Sequence, residues 1–230
     1  MILDDDAAES VRADSVDRPD GVPWQTIAVF ARRSTTPNRL YAPTPEQDNI
    51  PYSLHQSTWC TERAIAFIEQ AREPWLLCVN VKDPQPPFDP PWEYYRRYEP
   101  DALSDPYFRE SDLDQQERLA DIEWRARRPV PTRPSDMDAR RVRAAYYAMI
   151  ELIDAEFGRI VEHLEAADQV CDTVIVFMSD HGEMLGDHWL QEEGCRFYEG
   201  MVRVPFLIAW PGRIPAGRRC GSLEVFGAEK

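Results

Sequence analysis

A carboxylate and an imidazole stand side by side at Asp180 and His181, directly after the apolar run VIVFM of residues 174–178. An aspartate oxygen and a neutral imidazole nitrogen together suit Mn²⁺ or Zn²⁺, and with further oxygens they suit Ca²⁺. Adjacent side chains on a regular strand point apart, so both reach one ion only where the chain turns. Ser179-Asp180-His181-Gly182 supplies such a turn. The same four residues also make an ordinary turn in which Asp180 bonds its own backbone and Gly182 takes a positive φ. Two donors fall short of the three or more protein ligands a metal requires, so spacing alone leaves both readings open.

Other polar groups have paired readings of the same kind. His188, in the segment GDHW, is within reach of the Asp180 loop. There it can bond a substrate oxygen, orient a ligand from behind, or stand exposed. Arg196 and Arg203 flank an expected short helix and serve either as anion clamps or as solvated charges. His55 precedes a helix and His163 sits near the end of one, and neither pattern asks for chemistry. Phe88, Trp92, Tyr94, Tyr95 and Tyr98 either line a pocket or pack over a proline-rich loop.

The elements that must position these groups are read from periodicity. A helix is expected from the Ser57-Thr58 hydroxyl cap to Pro74, with Ala64, Ile65, Ile68 and Ala71 on one face. Residues 75–81, WLLCVNV, make a strand that exits into KDPQPPFDPP, where proline forbids both helix and central strand. Ser135 caps the longest helix, whose stripe is Val142, Tyr146, Met149, Ile153, Phe157, Ile160 and Leu164. That helix should cross over the sheet and feed the strand at 174–178 by a right-handed connection. A third apolar run, 206–210, is closed by PGRIPAG. Continuous apolar runs predict strands covered on both faces, and runs linked by helices make the fold class α/β. Ligands of such sheets bind outside the carboxyl ends of the strands, where Asp180 and His181 fall. Residues 1–51 read as an irregular acidic and proline-rich lead-in. Residues 92–134 read as an insertion with a helix at 112–127, and 216–230 as a tail.

Composition excludes some partners. With 41 acidic against 26 basic residues the formal charge is −15, which argues against sequence-independent binding to nucleic acid or anionic membrane. An anionic substrate then needs a local positive field, such as a metal. The cysteines, Cys60, Cys78, Cys171, Cys195 and Cys220, are odd in number without a CxxC pair, a pattern of reduced intracellular thiols. The start MILDDDAAES lacks the basic and apolar regions of a signal peptide, so the expected location is cytoplasmic.

Taken together, TVIVFMSDHGEMLGDH followed by GCRFYEGMVRVPFLIAWPGRI resembles the second half of the sulfatase fold in the alkaline phosphatase superfamily. It is similar to arylsulfatases, choline-sulfatase-like proteins and phosphonate monoester hydrolases. SLHQSTWCTERAIAFIE, PWLLCVNVKDPQPPFDPP and AAYYAMIELIDAEFGRIVEHL follow in the expected order, so the resemblance covers residues 52–215. It implies an alkaline-phosphatase-like, mainly parallel sheet flanked by helices, present incompletely. It also implies hydrolysis of a small-molecule sulfate or phosphate-type ester at a divalent cation, Ca²⁺ or Mn²⁺, with Asp180 and His181 as ligands. Gln85, His188, Glu193 and Arg196 are then the pocket candidates.

The chain departs from that family at four places. The family nucleophile is commonly a formylglycine made from Cys or Ser in a C/S-x-P/A-x-R motif, whereas Cys60 reads CTERA and Cys195 reads CRFYE. Asp4-Asp5-Asp6 mimics the paired aspartates of the first strand, but no nucleophile motif follows. Gln85 stands where the Pro-His-x-Pro loop usually has histidine. Glu193 stands where a lysine is usual, and its charge repels an anionic ester. The expectation is a segment of a hydrolase lacking the nucleophile, with little activity alone; the alternative is a non-catalytic remnant that binds or interacts.

Overall fold

The structure, a computed structural model, describes the backbone of residues 12–17 and 23–30 together with residues 50–114, 136–190 and 197–221. The chain divides into two compact units, Met1–Asp105 with Asp136–Leu164, and Pro106–Ser135 with Glu165–Lys230.

In the first unit, strands β1 (Arg12–Asp17) and β2 (Pro23–Phe30) pair antiparallel. Residues 18–22 separate them, too few for the crossover of about a dozen that a parallel pair needs. Helix α1 (Gln56–Gln70) follows, and strand β3 (Trp75–Asn80) then lies parallel to β2, with Gln25 opposite Trp75 and Phe30 opposite Asn80. Part of the expected irregular lead-in is therefore sheet. Its strand character was hidden because Arg12–Asp17 alternates charge and small residues instead of presenting an apolar run.

Helix α1 starts at Gln56 because His55, in an extended conformation, caps it: Nδ1 accepts from Ser57 N at 3.4 Å. Ser57 and Thr58, expected as the cap, are instead buried inside the first turn. Cys60, fully buried, packs among Trp59, Phe67, Leu77, Val79 and Val81 and joins α1 to one face of β3. Burial along β3 alternates, and Leu76 on the other face is exposed. The expectation of two covered faces is not met, since α1 covers one face and no described element covers the other.

Helix α2 (Trp92–Tyr95) buries Tyr94 and Tyr95, and helix α3 (Asp136–Ala166) completes the unit. Its buried side includes the expected Val142, Met149 and Leu164 but also Ala144, Ala145, Ala148, Leu152 and Glu156. Alanines and a glutamate carry no hydrophobic signal, so the stripe read from sequence is narrower than the true one. The aromatic residues serve packing: Phe88 lies edge-on to Tyr146, Tyr98 lies beside Tyr147, and Tyr52 stacks on Tyr94.

A polar network around the buried Glu156 ties α1 to α3. Glu156 accepts from Thr58 Oγ1 at 3.2 Å and from Arg159 Nη1 at 2.8 Å, and Arg159 also pairs with Glu62. The Glu62 bond raises the Arg159 pKa, so the guanidinium is permanently charged. Burial and then the hydrogen bond to Glu156 push the Tyr52 phenol up to about 12.

In the second unit, the 3₁₀ turn Val170–Asp172 leads into β4 (Ile175–Met178), which pairs antiparallel with β5 (Phe206–Ala209), Val176 opposite Ile208 and Met178 opposite Phe206. Between them lie the Asp180 loop and the single-turn helix α4 (Glu199–Val202). Parallel pairing is thus described for β2 and β3 only. In the second unit the reason is local: the chain returns along the loop it has just made, and Ser179 N donates to Pro205 O at 3.3 Å. The expected helix at 112–127 begins at residue 111, and its remainder lies outside the described residues. Among the described residues no helix is long and apolar enough to cross a membrane.

The Glu156 network makes a test. The protonated Tyr52 phenol is the form the fold favours, so its contribution is level below pH 10 and is lost as pH rises toward about 12. Glu156→Gln should cost about 2 kcal/mol in urea unfolding. It should also bring the Tyr52 transition, followed by absorbance at 295 nm against a Tyr52→Phe reference, back toward the ordinary phenol range. An unchanged Tyr52 transition would exclude Glu156 as its partner.

Candidate functional site

Strand β4 ends in a turn held by its own side chains. Ser179 Oγ donates to His181 O at 2.8 Å, and Asp180 Oδ1 accepts from His181 N at 2.9 Å. The turn is then seated on the segment before β5: Gly182 N donates to Met201 O at 2.8 Å and Glu183 N to Gly200 O at 3.2 Å. A Cβ at residue 182 would stand 1.8 Å from Gly200 O, so only glycine fits. Its φ is not in the left-handed region. The glycine serves close approach of two backbones, not the positive φ expected of a turn.

That seating orients the imidazole. His181 Nδ1 lies 2.8 Å from Gly182 O. A carbonyl only accepts, so Nδ1 carries the proton and Nε2 keeps its lone pair. Nε2 is 3.9 Å from Asp180 Oδ2, with 32% of the His181 side chain and 88% of the Asp180 side chain exposed. A lone-pair nitrogen and a carboxylate oxygen at this separation fit two positions around one divalent ion, whose ligand distances are about 2.0–2.6 Å. They do not complete a shell. Among the described residues no three His, Cys, Asp or Glu side chains converge as a metal would need. Oδ1 of Asp180 thus makes a bond to the backbone of the turn, and Oδ2 lies on the side of the imidazole.

His188 is neither exposed nor aimed outward. Its Nδ1 lies 3.0 Å from Asp112 Oδ2, with the two side chains 19% and 9% exposed. Its ring stacks on Tyr198 at 4.3 Å and meets the Tyr107 ring edge-on. Leu185, His188 and Trp189 all adopt positive φ, at 50°, 55° and 56°, each at a cost of about 1 kcal/mol for a residue with a Cβ. Contacts hold them there: His188 N donates to Tyr107 O and Asp187 Oδ1 accepts from Tyr107 N, both at 2.6 Å, while Trp189 stacks on Phe108 at 3.8 Å.

Gln85 belongs to the first unit. It is half-buried in a loop closed by Gln85 N donating to Lys82 O and Lys82 Nζ donating to Pro86 O, both at 3.1 Å. The loop is tied down by Asp83, whose carboxylate accepts from Gln56 Nε2 and Ser57 Oγ and lies 3.5 Å from His55 Nδ1. Glu193 and Arg196 lie outside the described residues. Arg203 pairs with Glu199 at 3.7 Å, both largely exposed, and is a solvated charge. Sequence reading missed Asp83, Asp112, Tyr107 and Tyr198. The one available signal was the acidic Asp112 and Asp83 beside aromatic or proline-rich segments, and it does not name a partner.

The solved structures this chain resembles have sulfatase and alkaline-phosphatase-like folds. The chain superposes on the phosphonate monoester hydrolase of Agrobacterium radiobacter with a TM-score of 0.58 at 26% identity, over 69% of this chain and 34% of that one. The sulfatase family model matches residues 20–224, and the chain belongs to the sulfatase family. It is 32% identical to an arylsulfatase of Clostridium perfringens over 73% of this chain and 34% of that protein. It is 31% identical to a choline-sulfatase of Rhizobium meliloti over 64% of this chain and 28% of that protein. The chain thus spans about a third of the length of the curated relatives it matches.

The glycine contact is open to direct test. Gly182→Ala should destabilise the second unit by about 3 kcal/mol, because the methyl must push backbone rather than a side-chain tip. Gly158→Ala, within α3 with open space around its Cβ, should instead stabilise by about 0.5–1 kcal/mol. Urea unfolding followed separately at second-unit and first-unit amides distinguishes the two, and an equal response would exclude the close approach.

Proposed function

We propose that the protein is a metal-dependent sulfatase-family hydrolase of sulfuric esters, or of phosphate or phosphonate esters. These residues contribute the Asp180 and His181 portion of its site. The observation that carries this reading is the 3.9 Å juxtaposition of His181 Nε2 and Asp180 Oδ2 on the loop that leaves β4, in a chain matching the sulfatase model over residues 20–224.

A Ca²⁺ or Mn²⁺ ion would be held by Asp180 Oδ2 and His181 Nε2. When bound, such an ion polarises ester oxygens and lowers the pKa of an attacking nucleophile. The chain's own residues prepare the donors. Gly182 O fixes the imidazole tautomer through Nδ1, and His181 N occupies Asp180 Oδ1 so that Oδ2 remains for the cation. Among the described residues no further ligand joins the pair, and the chain spans about a third of the length of the arylsulfatase it matches. In the whole protein β4 then belongs to a mainly parallel sheet. Val176, Met178, Phe206 and Ile208, which share one face of the β4–β5 pair and are 39–57% exposed, are covered there.

A second reading, a non-catalytic fold that binds or interacts, is favoured by Gln85. An amide in a loop anchored by Asp83 cannot exchange a proton with substrate as an imidazole would.

Calorimetric titration of the chain with MnCl₂ decides between them. Weak one-to-one binding is expected from two of a shell's donors, weakened further by about tenfold or more, or 1.4 kcal/mol, in Asp180→Ala and in His181→Ala. The same chain should turn over neither an aryl sulfate nor an aryl phosphonate ester above background. Folded protein that binds no Mn²⁺ would favour the non-catalytic reading, and turnover abolished by Asp180→Ala would show that the chain holds its own nucleophile.

A further inference from the structure

His188 is held far more firmly than a loop histidine requires, and its contacts lead to the Asp180 turn. On one side Asp112 Oδ2 meets its Nδ1 at 3.0 Å, and Asp112 is itself fixed by Arg109 N, which donates to the same oxygen at 2.7 Å. Tyr107 O receives His188 N at 2.6 Å. On the other side the imidazole lies on the Tyr198 ring, 4.3 Å between centroids and 22° from parallel. Tyr198 O accepts from Met201 N at 2.9 Å and Val202 N at 3.1 Å, which sets the start of α4. The carbonyls of Gly200 and Met201 in that same turn receive Glu183 N and Gly182 N, and Gly182 O receives the His181 ring.

We propose that His188 is a positioning residue for His181. Clamped by Asp112, it holds Tyr198, and through the Tyr198–Met201 turn it fixes the backbone on which the Asp180-His181 pair is seated. The strained backbone fits this role, because a left-handed His188 is tolerated only where surrounding contacts over-determine it. The functional meaning rests on the reading of His181 as a metal ligand, whereas the positioning itself does not.

The test uses the ¹⁵N-labelled 230-residue chain with His188→Ala, the ring-preserving His188→Phe, and Asp112→Asn, which only weakens the clamp. In the wild type the His181 ring signals should report the Nδ1–H tautomer. In His188→Ala they should move toward the mixture of a free imidazole, and the Gly182 and Glu183 amides should exchange about tenfold faster. MnCl₂ affinity should fall about tenfold. His188→Phe should recover part of each effect by restoring the stack on Tyr198. Amides of α1 and α3 report that the fold is intact, and Asp112→Asn decides if His188→Ala does not fold. Wild-type ring signals and Gly182 exchange in the folded variants would overturn the proposal. Altered ring signals and exchange with undiminished Mn²⁺ affinity would uphold the positioning and overturn its bearing on metal binding. If the wild type itself binds no Mn²⁺, the metal reading falls and the ring signals alone decide the positioning.

Discussion

The contact between Gly182 and the backbone at Gly200 is the constraint on which the site depends. Two main chains approach so closely that a methyl on residue 182 would lie 1.8 Å from a carbonyl oxygen. Hydrogen bonds from Gly182 and Glu183 take up the groups brought together. Side-chain bonds alone would leave a five-residue turn free to rock, since most of its polar groups could exchange their partners for water at little cost. Backbone seating removes that freedom. It also delivers the Gly182 carbonyl to His181 Nδ1, so one glycine sets both the position and the tautomer of the imidazole.

The first unit solves a comparable problem with buried charge. Asp83, at the head of the Gln85 loop, sits against the first turn of α1, where Gln56, Ser57 and His55 surround it. The exposed N–H groups of a helix start favour a carboxylate there, and loss of any one partner would leave a buried anion underserved. Glu156 plays the same part between α1 and α3. In both cases a buried carboxylate ties elements together beside their apolar contacts.

Much of this arrangement is legible in the sequence, and what is not has identifiable causes. Strands β3 and β4, helices α1 and α3 and the Asp180-His181 turn follow from apolar runs, helical spacing and a polar break. β1 escapes because a strand with alternating charge looks like a loop. The N-cap escapes because His55 supplies the acceptor that the Ser57 and Thr58 hydroxyls were expected to supply. The role of Gly182 escapes because a glycine after a polar turn has a common explanation in positive φ, and only the three-dimensional approach of Gly200 replaces it. The His188–Asp112 pair joins residues far apart in sequence, and neither has a local pattern that points to the other.

The β4–β5 pair and the turn that follows β4 draw their order from different sources. A two-stranded pair is marginal by itself, and one face of β4–β5 shows Val176, Met178, Phe206 and Ile208 to solvent. The Asp180 turn nevertheless draws its order from residues 198–205 and from its own side chains, all within the second unit. Its donors are thus set by short-range contacts, while the coverage of the strands depends on sheet neighbours. A turn built this way keeps the Asp180 carboxylate and the His181 imidazole oriented by contacts within the second unit. Whatever meets that pair then need not supply the ordering of Asp180 and His181, which folding has already provided.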